Sequence, residues 1–132
     1  ILTPELSPIN NFAFSSNELF YGDSVCGVIL NHPQLSTPSL LAILNSRLIE
    51  FYYKSTTVPK AGGFYIYKVM YLNDIPIAIP SEDQNIKLGK LQQKLINSNA
   101  TDISIEEEIN QEVYKLYGLN EEEINIIQGA HE

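Results

Sequence analysis

The amino-acid sequence predicts an α+β fold: a mixed α/β front half, residues 1–80, that contains a long loop, followed by an all-helical half, residues 81–132. Short extended runs bounded by proline, such as "IPIAIP", lie in the front half, whereas capped helical segments fill the second. With 132 residues, 44% of them hydrophobic, the chain is long enough for one domain with a core and short for two. We therefore expect a single domain over residues 1–132. Because it begins with Ile and its one Met is Met70, we expect it to be part of a longer protein.

The front half is expected to start with short strands and turns. "ILTPEL" is an extended run, Asn10-Asn11 predicts a turn, and Gly22-Asp23 predicts the turn that leads into the strand "SVCGVIL". Thr37-Pro38 predicts a helix start with Thr37 as the cap, since a capping hydroxyl precedes a proline. Apolar residues at three- and four-residue spacing extend this helix to about Tyr53. After the loop, "FYIYKVMY" predicts an aromatic strand.

The second half predicts helices that all begin in the same way, with a capping residue followed three positions later by Glu or Gln. The pairs are Ser81 with Gln84, Ser104 with Glu107 and Asn120 with Glu123, and the helices are expected to end near Asn97, Tyr117 and Gln128. Gly118 predicts the stop between the last two helices. The acidic triplets at 106–108 and 121–123 are expected in first turns, where carboxylates meet the positive end of the helix dipole.

The net charge of −8 is unevenly distributed along the chain. Residues 1–80 hold four basic and five acidic side chains, whereas residues 81–132 hold four basic and eleven acidic ones. Between Phe51 and Asn73 the chain has three lysines, no acidic residue and seven of its thirteen aromatic residues. An acidic chain has therefore gathered cations and aromatic rings around one loop, "YYKSTTVPKAGGFYIYK".

Several function classes have no support in the sequence. The lone Cys26 excludes an internal disulfide and a cysteine-rich zinc site, and His32 and His131 are far apart in the chain, so we expect no metal site. We find no catalytic constellation, because no nucleophile motif, phosphate-binding loop or acid–base pair occurs. No run approaches the roughly 20 apolar residues that cross a bilayer. We expect a cytoplasmic protein without a membrane partner, and not an enzyme by itself.

The loop has two interpretations. In the first, the lysines only solubilise a turn, and the residues around it are core, namely Phe51, Tyr52, Ile66 and Tyr71. In the second, the loop contacts nucleic acid, because lysines suit phosphates, hydroxyls donate to bases or sugars, aromatic rings stack, and glycines allow close backbone approach. The alternation in "YIYK" places Tyr65 and Tyr67 on one face of a strand and Ile66 and Lys68 on the other.

A series of segments, in order, carries a family resemblance: "ILTPELS" with "FAFSSNELFYGDSVCGVIL", then "LLAILNSRLIEFYYK", the glycine-bearing loop with "YKVMYLNDIPIAIP", and "EEEINQEVYKLYGLNEEEINII". Together they span nearly the whole chain. The sequence resembles the C-terminal target-recognition domain of TaqI-like adenine-specific DNA methyltransferases and of the type IIG restriction-modification enzymes built on them.

This resemblance implies a DNA sequence-recognition domain that is non-catalytic by itself. The partners it implies are double-stranded DNA and the methyltransferase domain of the same parent chain. S-adenosylmethionine would bind in the parent enzyme and no cofactor in this domain, and the parent would methylate adenine with or without cleaving DNA. The DNA-binding residues are expected in the loop: Lys54, Ser55, Thr56, Thr57, Lys60, Gly62, Gly63, Tyr65, Tyr67 and Lys68. Residues 81–132 would be a helical scaffold. The alternative is a protein-interaction or structural helical module without DNA contact.

Overall fold

The computed structural model describes residues 1–17 and 20–130, and within them it confirms the α+β class. In chain order the elements are β1 (Leu2–Pro4), β2 (Leu6–Ser7), β3 (Val25–Gly27), α1 (Thr37–Leu44), α2 (Arg47–Thr56), β4 (Tyr65–Ile66), α3 (Val69–Leu72), α4 (Glu82–Asn97), α5 (Ile103–Leu116) and α6 (Glu121–Gly129), with a short 3-10 turn at Ala61–Gly63.

The strands of the described residues form two small antiparallel pairs, β1 with β3 and β2 with β4. The predicted strand "SVCGVIL" is confirmed only over Val25–Gly27, and the turn before it is closed by the Val25 amide donating to the Gly22 carbonyl at 3.2 Å. Between the two pairs, the Glu5 carbonyl accepts a hydrogen bond from the Tyr67 amide at 2.7 Å. The N-terminal segment therefore holds β4, and with it the end of the loop, beside β3.

The single helix predicted from Thr37 to about Tyr53 is wrong, because the chain breaks at Asn45 and Ser46 into α1 and α2. The Asn45 side chain accepts from the Phe12 amide at 2.9 Å and donates to the Phe12 carbonyl at 2.8 Å. The Ser46 hydroxyl oxygen caps the start of α2. The apolar spacing of the sequence continues through this point. The helix nevertheless ends there, because Asn45 bonds to a distant segment and Ser46 caps a new helix.

The helix caps follow the sequence signals in part. Ser36, not Thr37, caps α1, and Asp102, not Ser104, caps α5, because the Asp102 carboxylate accepts from two amides of the first turn. The predicted capping boxes at Ser81 with Gln84 and at Asn120 with Glu123 are confirmed, as is the helix stop at Gly118, where φ is +68°. The first turn of α6 contains its whole acidic triplet, whereas the first turn of α5 contains only Glu106 of the other one.

Two further predictions in the front half are wrong. "FYIYKVMY" is a strand only at Tyr65–Ile66, and Val69–Leu72 forms the helical turn α3, whose amides at 71 and 72 both donate to the Lys68 carbonyl at 2.9 Å. The turn expected at Asn10-Asn11 is instead a bend at Pro8 and Ile9, while Asn10 is buried. At Asn10 tertiary hydrogen bonds override the local preference for a turn, whereas α3 is closed by local hydrogen bonds to Lys68.

One hydrophobic core joins both halves of the chain. Helix α1 packs against α4, α4 against α5, and α2 against α5 and α6. The largest fully buried aromatic side chains are Tyr53, Tyr67 and Tyr114, and Ile43, Leu88 and Val113 are buried with them. The core therefore fixes the position of α2 and β4, which flank the loop. None of the helices in the described ranges is both long and apolar enough to cross a membrane.

Candidate nucleic-acid interface

The candidate site is the surface formed by the last turn of α2, the loop at 58–64, β4 and Lys68, which we call the loop surface. The Lys60 amide donates to the Phe64 carbonyl at 2.6 Å and closes the loop on itself. Gly62 and Gly63 have φ values of +78° and +77°, in the left-handed region that side chains other than glycine rarely adopt. Both glycines are exposed, so the loop presents backbone that a partner can approach closely.

The three hydroxyl residues predicted as contacts lie at the C-terminal end of α2. Ser55, Thr56 and Thr57 each donate a hydrogen bond to the carbonyl four residues earlier, at 2.7, 2.9 and 2.6 Å. Such bonds occupy the hydroxyl proton and leave the oxygen free to accept. Ser55 and Thr56 are exposed and Thr57 is half-buried. This row therefore suits a partner that donates hydrogen bonds, such as the amino group of a base.

The three lysines of the loop surface have different electrostatic environments. Lys54 Nζ pairs with Glu50 Oε1 at 2.6 Å and lies 5.8 Å from the centre of the Tyr65 ring. Lys68 Nζ pairs with Glu5 at 3.1 Å in a largely exposed ion pair. Exposed pairs contribute about 0–1 kcal/mol, so a phosphate can replace that carboxylate.

Lys60 is exposed, and no carboxylate lies within ion-pair distance of it among residues 1–17 and 20–130. Of the three cations, Lys60 and Lys68 are therefore the ones best placed to take a phosphate. Lys54 is less available to a phosphate, because its ion pair is with Glu50, a carboxylate that is mostly buried.

Tyr67 is the clear exception among the predicted contacts, because it is completely buried. Its ring stacks on Tyr53 with centroids 4.6 Å apart and meets Phe12 edge-on at 6.0 Å. Its hydroxyl donates to Asn10 Oδ1 at 2.9 Å. The prediction that Tyr67 faces a partner is wrong, because its ring and hydroxyl are enclosed by Tyr53, Phe12 and Asn10, whereas Tyr65 is only half-buried.

The buried phenols beneath the loop surface stay neutral at ordinary pH. Burial raises the pKa of Tyr53 to about 12, and burial followed by the nearby Glu50 charge raises the pKa of Tyr67. Tyr53 donates its proton to the Ile66 carbonyl at 2.6 Å. The stacked pair thus ties α2 to β4 by this hydrogen bond as well as by ring contact, and fixes the two ends of the loop.

Asn10 is a supporting residue that the sequence analysis did not identify. Its side-chain amide donates to the Leu44 carbonyl at 2.7 Å, its side-chain oxygen accepts from Tyr67, and its backbone amide donates to Glu50 at 3.3 Å. These bonds link the N-terminal segment, the end of α1 and the aromatic pair. In the sequence, Asn10 is a polar residue close to apolar ones. That pattern predicts an exposed turn as readily as a buried asparagine.

Apolar side chains beside the lysines were also missed. Val58 is 80% exposed, Val69 60% and Met70 65%, although each follows or precedes a predicted contact closely in the chain. Exposed apolar groups next to cations are suited to contact the methyl group of thymine or the face of an unstacked base. No sequence signal marked them, because Val69 continues the period-two alternation of Tyr65 and Tyr67 and the run was predicted as one strand.

The acidic half of the chain uses several of its carboxylates internally. Glu107 pairs with Arg47 at 2.6 Å, and Glu112 accepts from Lys87 at 2.7 Å and from Lys115 at 2.9 Å. The Gln111 amide, and then the Arg47 guanidinium, hold the pKa of Glu107 below its ordinary value. The expectation that Glu107 acts mainly on the helix dipole is therefore corrected, because its carboxylate joins α5 to α2.

The geometry defines a class of protein, namely a domain that presents an exposed, glycine-formed and cation-bearing loop on a rigid support. The described residues hold no cluster of His, Cys, Asp and Glu that could bind a metal ion. Residues 1–77 match the model of the TaqI-like C-terminal specificity domain, so the chain belongs to that family. The match covers the loop surface entirely and ends before α4. No curated protein and no solved structure matches the chain.

Proposed function

We propose that this chain is the DNA sequence-recognition module of a restriction-modification adenine methyltransferase and has no catalytic activity of its own. The observation that carries the proposal is that the specificity-domain match includes the whole loop surface, where exposed lysines, hydroxyls and glycines lie together. A loop of this chemistry suits the major groove of a duplex, where each base pair presents a distinct set of donors and acceptors.

The side chains of the loop surface would have two roles: some would bind phosphates and position the DNA, and others would contact bases and select the sequence. Lys60 and Lys68 would hold phosphates, with Glu5 releasing Lys68 when DNA arrives, and Lys54 would contribute less because Glu50 retains it. Base or sugar contacts would come from Ser55, Thr56, Thr57 and Tyr65, with close backbone approach at Gly62 and Gly63. Tyr67 would act from beneath, by fixing β4 on α2.

The other parts of the proposal concern the longer protein. The helices of residues 81–132 would be a scaffold whose acidic surface faces away from DNA. A methyltransferase domain of the same parent chain would bind S-adenosylmethionine and carry the reaction, with or without an endonuclease of type IIG. The parent would act in the cytoplasm on double-stranded DNA, and we expect this chain alone to bind no S-adenosylmethionine.

A selection from randomised DNA duplexes tests the proposal on the chain itself. The chain is incubated with a library of duplexes at low salt, bound DNA is recovered and sequenced, and the cycle is repeated. We expect enrichment of one short motif that contains an adenine, and the same motif should be the methylation site of the parent enzyme. Binding without enrichment would show a DNA-binding surface that does not read sequence. Absence of binding would support the protein-interaction alternative.

A further inference from the structure

Glu50 lies in the first turn of α2, four residues before Lys54, and its carboxylate contacts two parts of the protein. Glu50 Oε1 pairs with Lys54 Nζ at 2.6 Å, and Glu50 Oε2 accepts a hydrogen bond from the Asn10 backbone amide at 3.3 Å. Only 11% of the Glu50 side chain is exposed. Taking the cation away from a buried carboxylate leaves an uncompensated buried charge, which is strongly unfavourable. We therefore expect Lys54 to stay with Glu50 when DNA binds.

The ion pair of Lys68 with Glu5 is different, because both of its side chains are open to solvent. The Glu5 side chain is 33% exposed and that of Lys68 is 53% exposed. Water and salt weaken such a pair, so a phosphate group can displace the carboxylate at little cost. Two lysines of the loop surface thus have carboxylate partners, but only Lys68 can exchange its partner for a phosphate.

The ammonium group that Glu50 holds lies against an aromatic ring. Lys54 Nζ is 5.8 Å from the centre of the Tyr65 ring, within the roughly 6 Å at which a cation is attracted to a ring face. Tyr65 is half-buried in β4, and its hydroxyl has no hydrogen-bond partner in residues 1–17 or 20–130. The cation therefore supports the ring of Tyr65 and leaves its hydroxyl available to a partner.

We propose that Glu50 is a positioning residue for DNA recognition: it keeps Lys54 away from phosphates and holds it against Tyr65, whose hydroxyl then meets a base at a fixed position. Because these roles lie within the loop surface, the proposal rests on the proposed function. Phosphate contacts carry no sequence information, whereas base contacts do. Lys54 thus contributes to the choice of sequence through Tyr65, and the general affinity for DNA comes from Lys60 and Lys68.

Removing the charge of Glu50 tests this role through the dependence of DNA binding on salt. Glu50→Gln keeps the size of the side chain and an oxygen that can accept from the Asn10 amide, but it frees Lys54. We expect Lys54 then to bind a phosphate, so that binding tightens on the selected duplex and on an unrelated one. The slope of log K against log salt should become steeper by about 0.9 on both. Glu108→Gln, which removes the same charge at an exposed position of α5, should leave the slope unchanged.

A double variant separates the charge of Lys54 from its support of Tyr65. Glu50→Gln combined with Lys54→Met removes both charges together, so no buried charge is left unpaired and the fold should persist, which circular dichroism checks. The salt slope should return to that of the wild type, because no additional cation is free. The ratio of affinities for the selected and the unrelated duplex should fall about fivefold or more, the lower limit for the loss of one base contact.

The outcomes distinguish this proposal from the proposed function. If the wild type selects a motif and Lys60→Ala reduces its salt slope, the loop surface binds DNA whatever Glu50 does. The role of Glu50 is then overturned if folded Glu50→Gln has the slope of the wild type, or if the folded double variant discriminates between the duplexes as well as the wild type does. A wild type that binds no DNA would overturn both the proposed function and the role of Glu50.

Discussion

Replacing Tyr67 with phenylalanine tests whether this residue supports the loop surface or reads DNA. The substitution removes one hydroxyl and leaves the ring, so the stacking on Tyr53 at 4.6 Å and the edge contact with Phe12 at 6.0 Å are retained. What is lost is the hydrogen bond to Asn10 Oδ1 at 2.9 Å. Because both residues are buried, water does not replace the missing donor.

The expected loss of stability follows from that unpaired acceptor. Leaving a buried acceptor without its partner costs about 1–3 kcal/mol of folding free energy. The contribution of ring packing is unchanged, because the substitution keeps the ring. Tyr65→Phe is the matched control, because Tyr65 is half-buried and its hydroxyl has no hydrogen-bond partner in the part of the chain that the structure describes. That variant should unfold within about 0.5 kcal/mol of the wild type, as substitutions away from such contacts usually do.

Urea unfolding followed by circular dichroism measures both free energies, and DNA selection measures the recognised motif. We expect Tyr67→Phe to lower the free energy of unfolding and to enrich the same motif as the wild type. The reasoning would be refuted if Tyr67→Phe left stability unchanged, since the bond to Asn10 would then contribute nothing. A changed motif at unchanged stability would indicate that Tyr67 contacts DNA and is part of the loop surface.

Further predictions concern the scaffold and its titration. Glu107→Gln, which breaks an ion pair between α5 and α2, should lower the free energy of unfolding by about 0.5–1 kcal/mol, whereas Glu108→Gln, at an exposed position, should not. Gly118→Ala forces a side chain into φ of +68° and should destabilise by about 1 kcal/mol, while Gly22→Ala, whose added methyl group would lie in open space, should be neutral in the same urea assay. Because burial raises the pKa of Tyr53 to about 12 from 10.0 in the unfolded chain, its contribution to stability is complete below pH 10.0 and is lost as the pH rises toward 12. Unfolding free energies measured from pH 9 to 12 should fall less steeply in Tyr53→Phe, and equal slopes would contradict the assignment.

The parts of the fold that the sequence predicted are those with local causes. The capping boxes at Ser81 and Asn120 each join residues three apart, and the turn before β3 and the stop at Gly118 are equally local. The break between α1 and α2 depends on Asn45 reaching Phe12, more than thirty positions earlier. No pattern within α1 and α2 reveals such a contact, so apolar periodicity alone predicted one helix.

The candidate site was predictable in composition but not in exposure. The sequence placed lysines, hydroxyls, glycines and aromatic rings in one region, and the structure brings the lysines, hydroxyls and glycines to one surface but buries the rings of Tyr53 and Tyr67. Which tyrosine of "YIYK" turns inward depends on Phe12 and Tyr53, which lie elsewhere in the chain. The ion pair of Lys68 with Glu5 likewise joins residues that are distant in sequence, so the difference between Lys68 and Lys60 could be seen only in three dimensions.

The dependence of DNA binding on salt tests most directly the claim that the loop surface contacts DNA. Binding of the chain to its selected duplex and to an unrelated duplex is measured by anisotropy over a range of salt concentrations. Lys60→Ala should weaken binding to both duplexes and lower the slope of log K against log salt by about 0.9, the value for one lost phosphate contact. Lys90→Ala, which removes the same charge from the exposed face of α4, should leave the slope unchanged. If Lys60→Ala and Lys90→Ala behave alike on both duplexes, the loop surface does not bind DNA and the account is wrong.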